Sequence, residues 1–465
     1  MKRILLALLL VALIAMPAFA SVQNVKVSGN VSSSWLIRND FTFGARGEGV
    51  KEFGQNLLFT QAIVGVDADL TDNVSAKVEL LNEKAWTEET DDNSDFDVHY
   101  AYMKAREFLN SAFSIIIGRQ PLNYGNSLIV GRLGPNHGNA ITAGGLNSVA
   151  EDFSKRTHYD AIRGIIDYDP LTVDLVYAKI NANTLVGNGN QEDDVDLYGI
   201  NANWKLGDER NSEVEGYVFT KIDQSLQEGA LHEKADKVFT PGIRVASNPI
   251  DGLWTSAEVA WQRGTATNAT SSTAADNWKR EAMAAQVISS YNLPFEKTKE
   301  YNPVVTGVYT YVSGDRNPAA VRSATQVSGE TWTAWDPMFE DQGGGTIYSA
   351  LFNLTNAHIW QGSVAVNPIE DVTTKLTYTQ LYLAKALNET GNSLTLILPD
   401  GTTQGVTTSA DDKDLGSELD LDTVYNYTED VQFGISTGMY FPGELFHENN
   451  NDVASQFIGH ADVNF

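Results

Sequence analysis

Gln456–Phe465 reads QFIGHADVNF. Phe457, Gly459, Ala461, Val463 and Phe465 fall on one face, and Ile458, His460, Asp462 and Asn464 on the other, because side chains alternate along a strand. One face is apolar and the other mostly polar. In hydrocarbon the edge of such a strand cannot stay unpaired, since each unsatisfied backbone group is costly. A strand at the end of the chain therefore needs a partner, and the strand at its start is the natural one. Pairing first with last closes a barrel.

The same alternation recurs upstream. In Val25–Ile37, Val25, Val27, Gly29, Val31, Trp35 and Ile37 take one face, and Lys26, Ser28, Asn30, Ser32 and Ser34 the other. Asn56–Leu70 and Val74–Lys84 form a hairpin around Thr71-Asp72-Asn73, with Val74, Ala76, Val78 and Leu80 alternating against Ser75, Lys77, Glu79 and Leu81. Further strand pairs are expected at 97–106 and 111–120, 159–168 and 171–180, 194–205 and 212–222, 237–246 and 253–263, 280–291 and 303–313, 356–367 and 371–385, and 416–427 and 431–440. With 456–465 the count is eighteen. Links inside pairs are short, as at Asp169-Pro170, Pro368–Glu370 and Thr428–Asp430; links between pairs are long, the largest being 121–158, 314–355 and 386–415. Short–long alternation is the pattern of a transmembrane antiparallel up-and-down β-barrel with short periplasmic turns and long extracellular loops. Trp35, Trp204, Trp254, Tyr168, Tyr291, Tyr378, Tyr425 and Tyr440 fall mostly near strand ends, where amphipathic rings favour the lipid–water boundary.

The start of the chain sets the compartment. Lys2 and Arg3, the apolar run Ile4–Met16 and the small-x-small site Ala18-Phe19-Ala20 have the layout of a secretory signal peptide over residues 1–20, leaving one barrel domain over 21–465. No later stretch approaches the 18 or so continuous apolar residues of a spanning helix. Cysteine is absent from all 465 residues, so no disulfide framework exists. Composition is 42% hydrophobic but dispersed, as a barrel with a polar lumen requires. Net charge is −28, and loss of Lys2 and Arg3 with the leader makes it −30, which argues against nucleic acid as a partner. The expected location is the bacterial outer membrane. The expected partners are its lipid and lipopolysaccharide, a hydrophilic solute, and the barrel-assembly machinery acting on the strand that ends at Phe465.

Several stretches resemble the alginate-export family of outer-membrane porins: AYMKAREFLNSAFSIIIGRQPLNYGNSLIVG at Ala101–Gly131, DVDLYGINANWK at Asp194–Lys205, PGIRVA at Pro241–Ala246, SAEVAWQRG at Ser256–Gly264, VYTYVSGD at Val308–Asp315, WDPMF at Trp335–Phe339 and GSELDLDTVYNY at Gly416–Tyr427. The resemblance implies an eighteen-stranded barrel and a channel for anionic sugar polymers or small anionic solutes. That family's channels are arginine-lined. This chain has 32 Lys plus Arg against 60 Asp plus Glu, so an anionic route requires the acids in loops and the bases in the lumen.

Alternation assigns facing. Arg163 opposes Ile162, Gly164 and Ile166; Arg244 is flanked by Ile243 and Val245; Lys77 and Glu79 oppose Val74, Ala76 and Val78; Glu258 and Gln262 oppose Ala257, Val259 and Trp261; Lys104 and Arg106 share a face with Tyr102. An arginine aimed at mid-bilayer lipid costs roughly 2–4 kcal/mol, which places all of these in the lumen. Arg119 shares parity with Phe113, Ile115 and Ile117, so it lines the pore only if Gly118 marks a bulge or those apolar residues face inward; the family pattern implies the lumen. Arg119, Arg163 and Arg244 with Lys77 and Lys104 would form an anion-selecting ring, or else a rigidifying network with Glu79, Glu258 or Asp420. The glycine-rich loop 121–158 is the expected constriction, so that deleting Leu133–Gly145 should raise single-channel conductance, and 314–355, carrying Trp332 and Trp335, is the second candidate. Acid clusters at Glu88, Glu89, Asp91 and Asp92, at Glu192–Asp194, and at Asp411, Asp412 and Asp414 read as solvated loop surface; none matches a calcium-loop motif, and no metal or cofactor site is assigned.

A passive channel is the leading function. A structural or adhesive barrel without a useful pore is the alternative. A barrel enzyme would need a Ser–His or Asp–His arrangement, and none of His99, His137, His158, His232, His358, His447 and His460 lies in a recognisable catalytic motif.

Overall fold

The computed structural model describes residues 24–465 apart from 45–52, 87–95, 133–145, 147–148, 182–193, 225–234, 268–276, 295–298, 317–330, 343–344, 388–392, 410 and 447–449. The leader, Leu133–Gly145, and the acids Glu88, Glu89, Asp91, Asp92, Glu192 and Asp193 lie outside the described residues.

Alternating apolar and polar residues cannot bury both faces, so the strands join edge to edge around an axis. The barrel strands are β1 (Asn24–Asn39), β2 (Gln55–Thr71), β3 (Val74–Ala85), β4 (Phe96–Ala105), β5 (Phe113–Gln120), β6 (Tyr159–Tyr168), β7 (Leu171–Asn181), β8 (Val195–Lys205), β9 (Glu213–Asp223), β10 (Asp236–Ile250), β11 (Leu253–Thr267), β12 (Asn277–Asn292), β13 (Val304–Val312), β15 (Ala357–Ile369), β16 (Val372–Leu383), β19 (Asp414–Asn426), β20 (Val431–Pro442) and β21 (Ala454–Asn464). Each pairs antiparallel with its chain neighbours, and β1 pairs with both β2 and β21, so the eighteen-stranded barrel is closed. The loops hold a two-residue strand β14 (Thr331–Trp332), the hairpin β17 (Ser393–Ile397) and β18 (Thr403–Thr407), and a short helix at Thr346–Leu351.

The closing seam pairs the first strand with Gln456–Phe465. Val31 faces Val463 and Ile37 faces Phe457. Gly29 and Phe465 exchange backbone hydrogen bonds of 2.9 and 3.0 Å. A Cβ on Gly29 would sit 2.3 Å from Phe465 Cζ, so the terminal ring lies across the glycine.

Facing follows parity. Val25, Trp35, Val64, Val78, Ile162, Leu175, Ile200, Ile243, Val364, Leu421, Ile435 and Val463 are all exposed on the outer surface, which hydrocarbon covers in a membrane. Ser32, Ser34, Glu83, Asp174, Glu215, Arg244, Glu258, Gln262 and Asp420 are buried on the opposite, lumenal face. Tyr440 departs from the aromatic-belt expectation. It is fully buried and stacks on Phe43 at 5.1 Å inside the barrel, because the neighbouring outward positions are Met439 and Phe441.

The largest apolar cluster sits inside the loop half of the barrel, where connecting segments fold inward. It includes Phe41 and Phe43, Leu122, Tyr124, Leu128, Ile129 and Val130, Trp335, Met338 and Phe339, and Ile347, Leu351, Leu396 and Val406.

Candidate pore constriction and vestibule

Two loop segments cross the lumen and bind each other. Residues 122–131 and 334–342 run side by side: Val130 bridges Phe339, Gly131 N donates to Phe339 O at 2.7 Å, Phe339 N to Ile129 O at 3.0 Å, and Asp341 N to Ser127 O at 2.9 Å. Apolar side chains let these segments leave water, and backbone pairing satisfies the amides that burial would otherwise strand.

The barrel wall holds the first segment by its polar groups. Glu258 accepts from Asn126 N at 2.7 Å and from Tyr217 Oη at 2.6 Å, and Glu215 accepts from Gly125 N at 2.9 Å. Arg244 donates to Asn126 Oδ1 at 2.7 Å, to Glu213 at 2.6 Å and to Glu215 at 3.3 Å. Gly125, at φ +60°, is required here, because a Cβ would meet the Glu258 carboxylate at 2.8 Å.

The second segment is clamped in the same way. Gln262 is fully buried and bonds the Asp336 backbone twice, donating to its carbonyl at 2.7 Å and accepting from its amide at 2.9 Å. The Asp336 carboxylate takes Lys221 Nζ at 2.8 Å, with Arg280 3.8 Å away. Gln342 donates to Asn126 O at 2.6 Å and so ties the two segments together. At the helix, Glu418 accepts from Ile347 N and Tyr348 N at 2.7 and 2.8 Å, and Asp420 accepts from Thr346 Oγ1 at 2.8 Å.

A third segment, 150–157, lies along the β1–β4 wall. Arg38, fully buried, donates to Gln456 and Gln55 and ion-pairs Asp152; Glu83 accepts from Ser154 Oγ and Lys155 N at 2.8 and 2.7 Å.

On the loop side of this barrier lies a vestibule of about 560 Å³. Trp332, Trp335, Pro337 and Phe352 supply its apolar surface, and Trp332 stacks on Trp278 at 5.9 Å. Its charges come as matched groups: Arg280 on Asp236 at 2.8 and 2.9 Å, and Lys221 on Asp336, with Asp315 nearby. Trp335 itself is almost completely buried, so Trp332 is the ring with a face to offer.

The site residues expected from the sequence separate into three groups. Arg244, Glu258 and Gln262 face the lumen and act as clamps. Lys77, Glu79, Lys104 and Arg163 face the lumen nearer the turn side. There Lys77 pairs Glu79 at 3.0 Å, Glu79 also accepts from His99 at 2.8 Å, and Arg163 pairs Asp174 and lies 5.5 Å over the Tyr124 ring. Lys104 alone among the cations of that set has no hydrogen-bonding or ionic partner among the described residues. Arg119 is the correction. Register with β6 runs unbroken from Phe113–Ile166 to Gln120–Tyr159, so Gly118 does not flip the face. Arg119 points outward at the loop end of β5 and forks onto Asp160 at 2.9 and 3.0 Å. Gly118, at φ +121°, is needed for close approach instead: a Cβ would meet Ala101 O at 2.2 Å. Among the described residues no ring of free arginines is assembled. Sequence reasoning missed Asn126, Lys221, Arg280, Asp336 and Gln342, whose partners lie far along the chain.

Glu340, in the second segment, is buried, and burial with Asp341 beside it pushes its pKa up to about 8. A carboxyl raised in this way favours the docked segment while neutral. That contribution is complete below the ordinary carboxylate pKa and is lost as pH rises through about 8. Current noise in a bilayer recording is therefore expected to grow between pH 6 and 9, and Glu340→Gln is expected to remove the change.

A sequence profile of the alginate export family matches residues 25–460. The chain belongs to that family. Solved structures with the same fold include Pseudomonas aeruginosa OpdQ, at TM-score 0.53 and 12% identity over 96% of this chain and 99% of that one. P. aeruginosa OccK2 (OpdF), in complex with glucuronate, matches at 0.54 and 11%, over 96% and 99%. P. aeruginosa OpdK with vanillate matches at 0.53 and 10%, over 96% and 100%. Among curated proteins nothing matches. This alginate-export-family barrel is an outer-membrane channel of porin architecture, with the two docked segments lying across its lumen.

Proposed function

We propose that the protein passes small ring-bearing hydrophilic solutes, sugars or sugar acids, rather than extended polymers. The observation that carries this reading is the clamped pair 122–131 and 334–342 across the lumen, backed by a vestibule of about 560 Å³. A volume of that order suits a small ligand. A polymer would need both segments to leave the lumen. Trp332 gives a sugar face a stacking surface, and the neutralised Arg280–Asp236 and Lys221–Asp336 pairs give hydroxyls and a single carboxylate places to bond. The glucuronate and vanillate of the porin neighbours are solutes of this size. Liposome swelling tests it: monosaccharides and uronates should enter faster than trisaccharides, and equal rates across that series would contradict it.

The channel reading is preferred to a barrel enzyme, because Glu215, Arg244, Glu258 and Gln262 are engaged in holding the segments. A cleaved leader over residues 1–20 and recognition of the strand ending at Phe465 by the barrel-assembly machinery belong to the same proposal. Phe465→Ala is expected to lower outer-membrane insertion in cells while leaving refolding in detergent largely intact; unchanged insertion would remove the terminal ring from that role.

A further inference from the structure

Among the described residues, the outward face of the strands carries charge only near its loop end. The cations are Lys84, Arg119, Lys179, Lys237, Arg263 and Lys279, and the acids are Asp160, Asp196, Glu281 and, on β19, Asp414 against the outward Gln380. Charge on the lipid face is costly at the bilayer midplane and nearly free at the interface, so this row marks the outer-leaflet boundary. The row just below it on β10–β12, Phe239, Trp261 and Met283, is exposed and apolar or aromatic, as a boundary girdle requires.

The row has two unlike parts. Along β5–β8 it neutralises itself: Arg119 on Asp160, Asp160 across from Lys179, and Lys179 on Asp194 and Asp196, both at 2.7 Å. Along β10–β12 it does not. Lys237 and Lys279 both lie directly across from Thr265, one on each side, and Arg263 sits two residues down the same face. Adjacent strands are about 4.8 Å apart, so the two lysines start about 10 Å apart with a hydroxyl between them. Glu281 offsets one of the three charges through its ion pair with Lys279. Lys237 has no hydrogen-bonding or ionic partner among the described residues, and Arg263 donates only to the Gln262 carbonyl. A patch of excess positive charge on a chain of net charge −28, pointing sideways at headgroup height, faces neither the lumen nor open solvent.

We propose that Lys237, Arg263 and Lys279 hold a phosphate of an outer-leaflet phosphorylated glycolipid against β10–β12. Three cations in one cluster suit a dianionic group, and the guanidinium supplies a forked donor to its oxygens.

The test is native mass spectrometry of the folded barrel in detergent, titrated with diphosphoryl lipid A and with its dephosphorylated form. Wild type should retain the phosphorylated form in preference. Each cation near a charged lipid surface is worth about fivefold, so K237Q/R263Q/K279Q should lose roughly a hundredfold in affinity for it. The turn-end control K205Q/R210Q should bind as wild type. All three cations lie outside the pore, so the triple variant should keep wild-type conductance, which also reports correct folding. Should the triple variant fail to fold, Lys237→Gln alone should lose about fivefold. Equal retention of the two lipid forms by wild type, undiminished binding by the variants, or an equal loss in the turn-end control would each overturn the proposal.

Discussion

Arg244→Ala should raise single-channel conductance several-fold and make the open level noisy. Arg244 is buried beside Glu213 and Glu215, faces Glu258 across the β10–β11 pair, and is bonded to Asn126 of the constriction. Removing one partner of a buried charge cluster costs about 3–5 kcal/mol, because the remaining charges stay desolvated and unpaired. The barrel can relieve that cost without unfolding: segment 122–131 leaves the wall, and water reaches the carboxylates. A penalty of that size lowers the docked population by a factor of roughly 10² to 10⁴. Because Gln342 ties Asn126 to the second segment, both should move. Arg244→Lys keeps the charge but loses the fork that reaches Asn126 and Glu213 together, so it should fall between the two. Conductance equal to wild type in Arg244→Ala would mean that the segment is held by its apolar side chains alone.

Asp336→Asn should act on charge while leaving the constriction in place. The second segment is held at this point by Gln262 bonding the Asp336 backbone, which the substitution does not touch. The carboxylate is what neutralises Lys221 and lies 3.8 Å from Arg280. Its loss leaves the vestibule one unit more positive. A unit charge at about 4 Å is worth about 4 kcal/mol at an effective dielectric of 20, before salt screening. Block by a uronate from the loop side should therefore strengthen about tenfold or more, while block by the matching neutral sugar should change little. The reversal potential in a KCl gradient should move toward the anion. An equal change for both solutes would show a displaced segment rather than an altered field.

The wall of this barrel was legible in the sequence and its contents were not. All eighteen strand positions follow from alternation and link length, because each is fixed by what lies within about ten residues of it. Facing was also local, which is why Lys77, Glu79, Arg163, Arg244, Glu258 and Gln262 fall on the lumenal side. Arg119 shows where a family pattern misleads local parity. Its own neighbours Ile115 and Ile117 gave the outward face, and Asp160, sharing parity with the lipid-facing Ile162, was the partner to look for. Loops 121–158 and 314–355 were legible as candidates to fold inward from length and composition. How they are held was not, since Asn126 meets Glu258 across 132 positions and Lys221 meets Asp336 across 115. Nothing near Asn126 or Asp336 in the chain announces a partner on the opposite wall. The expectation of an arginine ring failed for a related reason: parity says which way a side chain points, not which carboxylate stands beside it.

Whether the docked segments admit single sugars and exclude polymers is read by single-channel recording of the wild-type protein in a planar bilayer, with glucose, glucuronate and then long uronate oligomers added on the loop side. The expected record is a small, steady conductance, brief interruptions by both monosaccharides, and no passage of the oligomers. A large conductance through which oligomers pass freely, or no conductance at all, would contradict it.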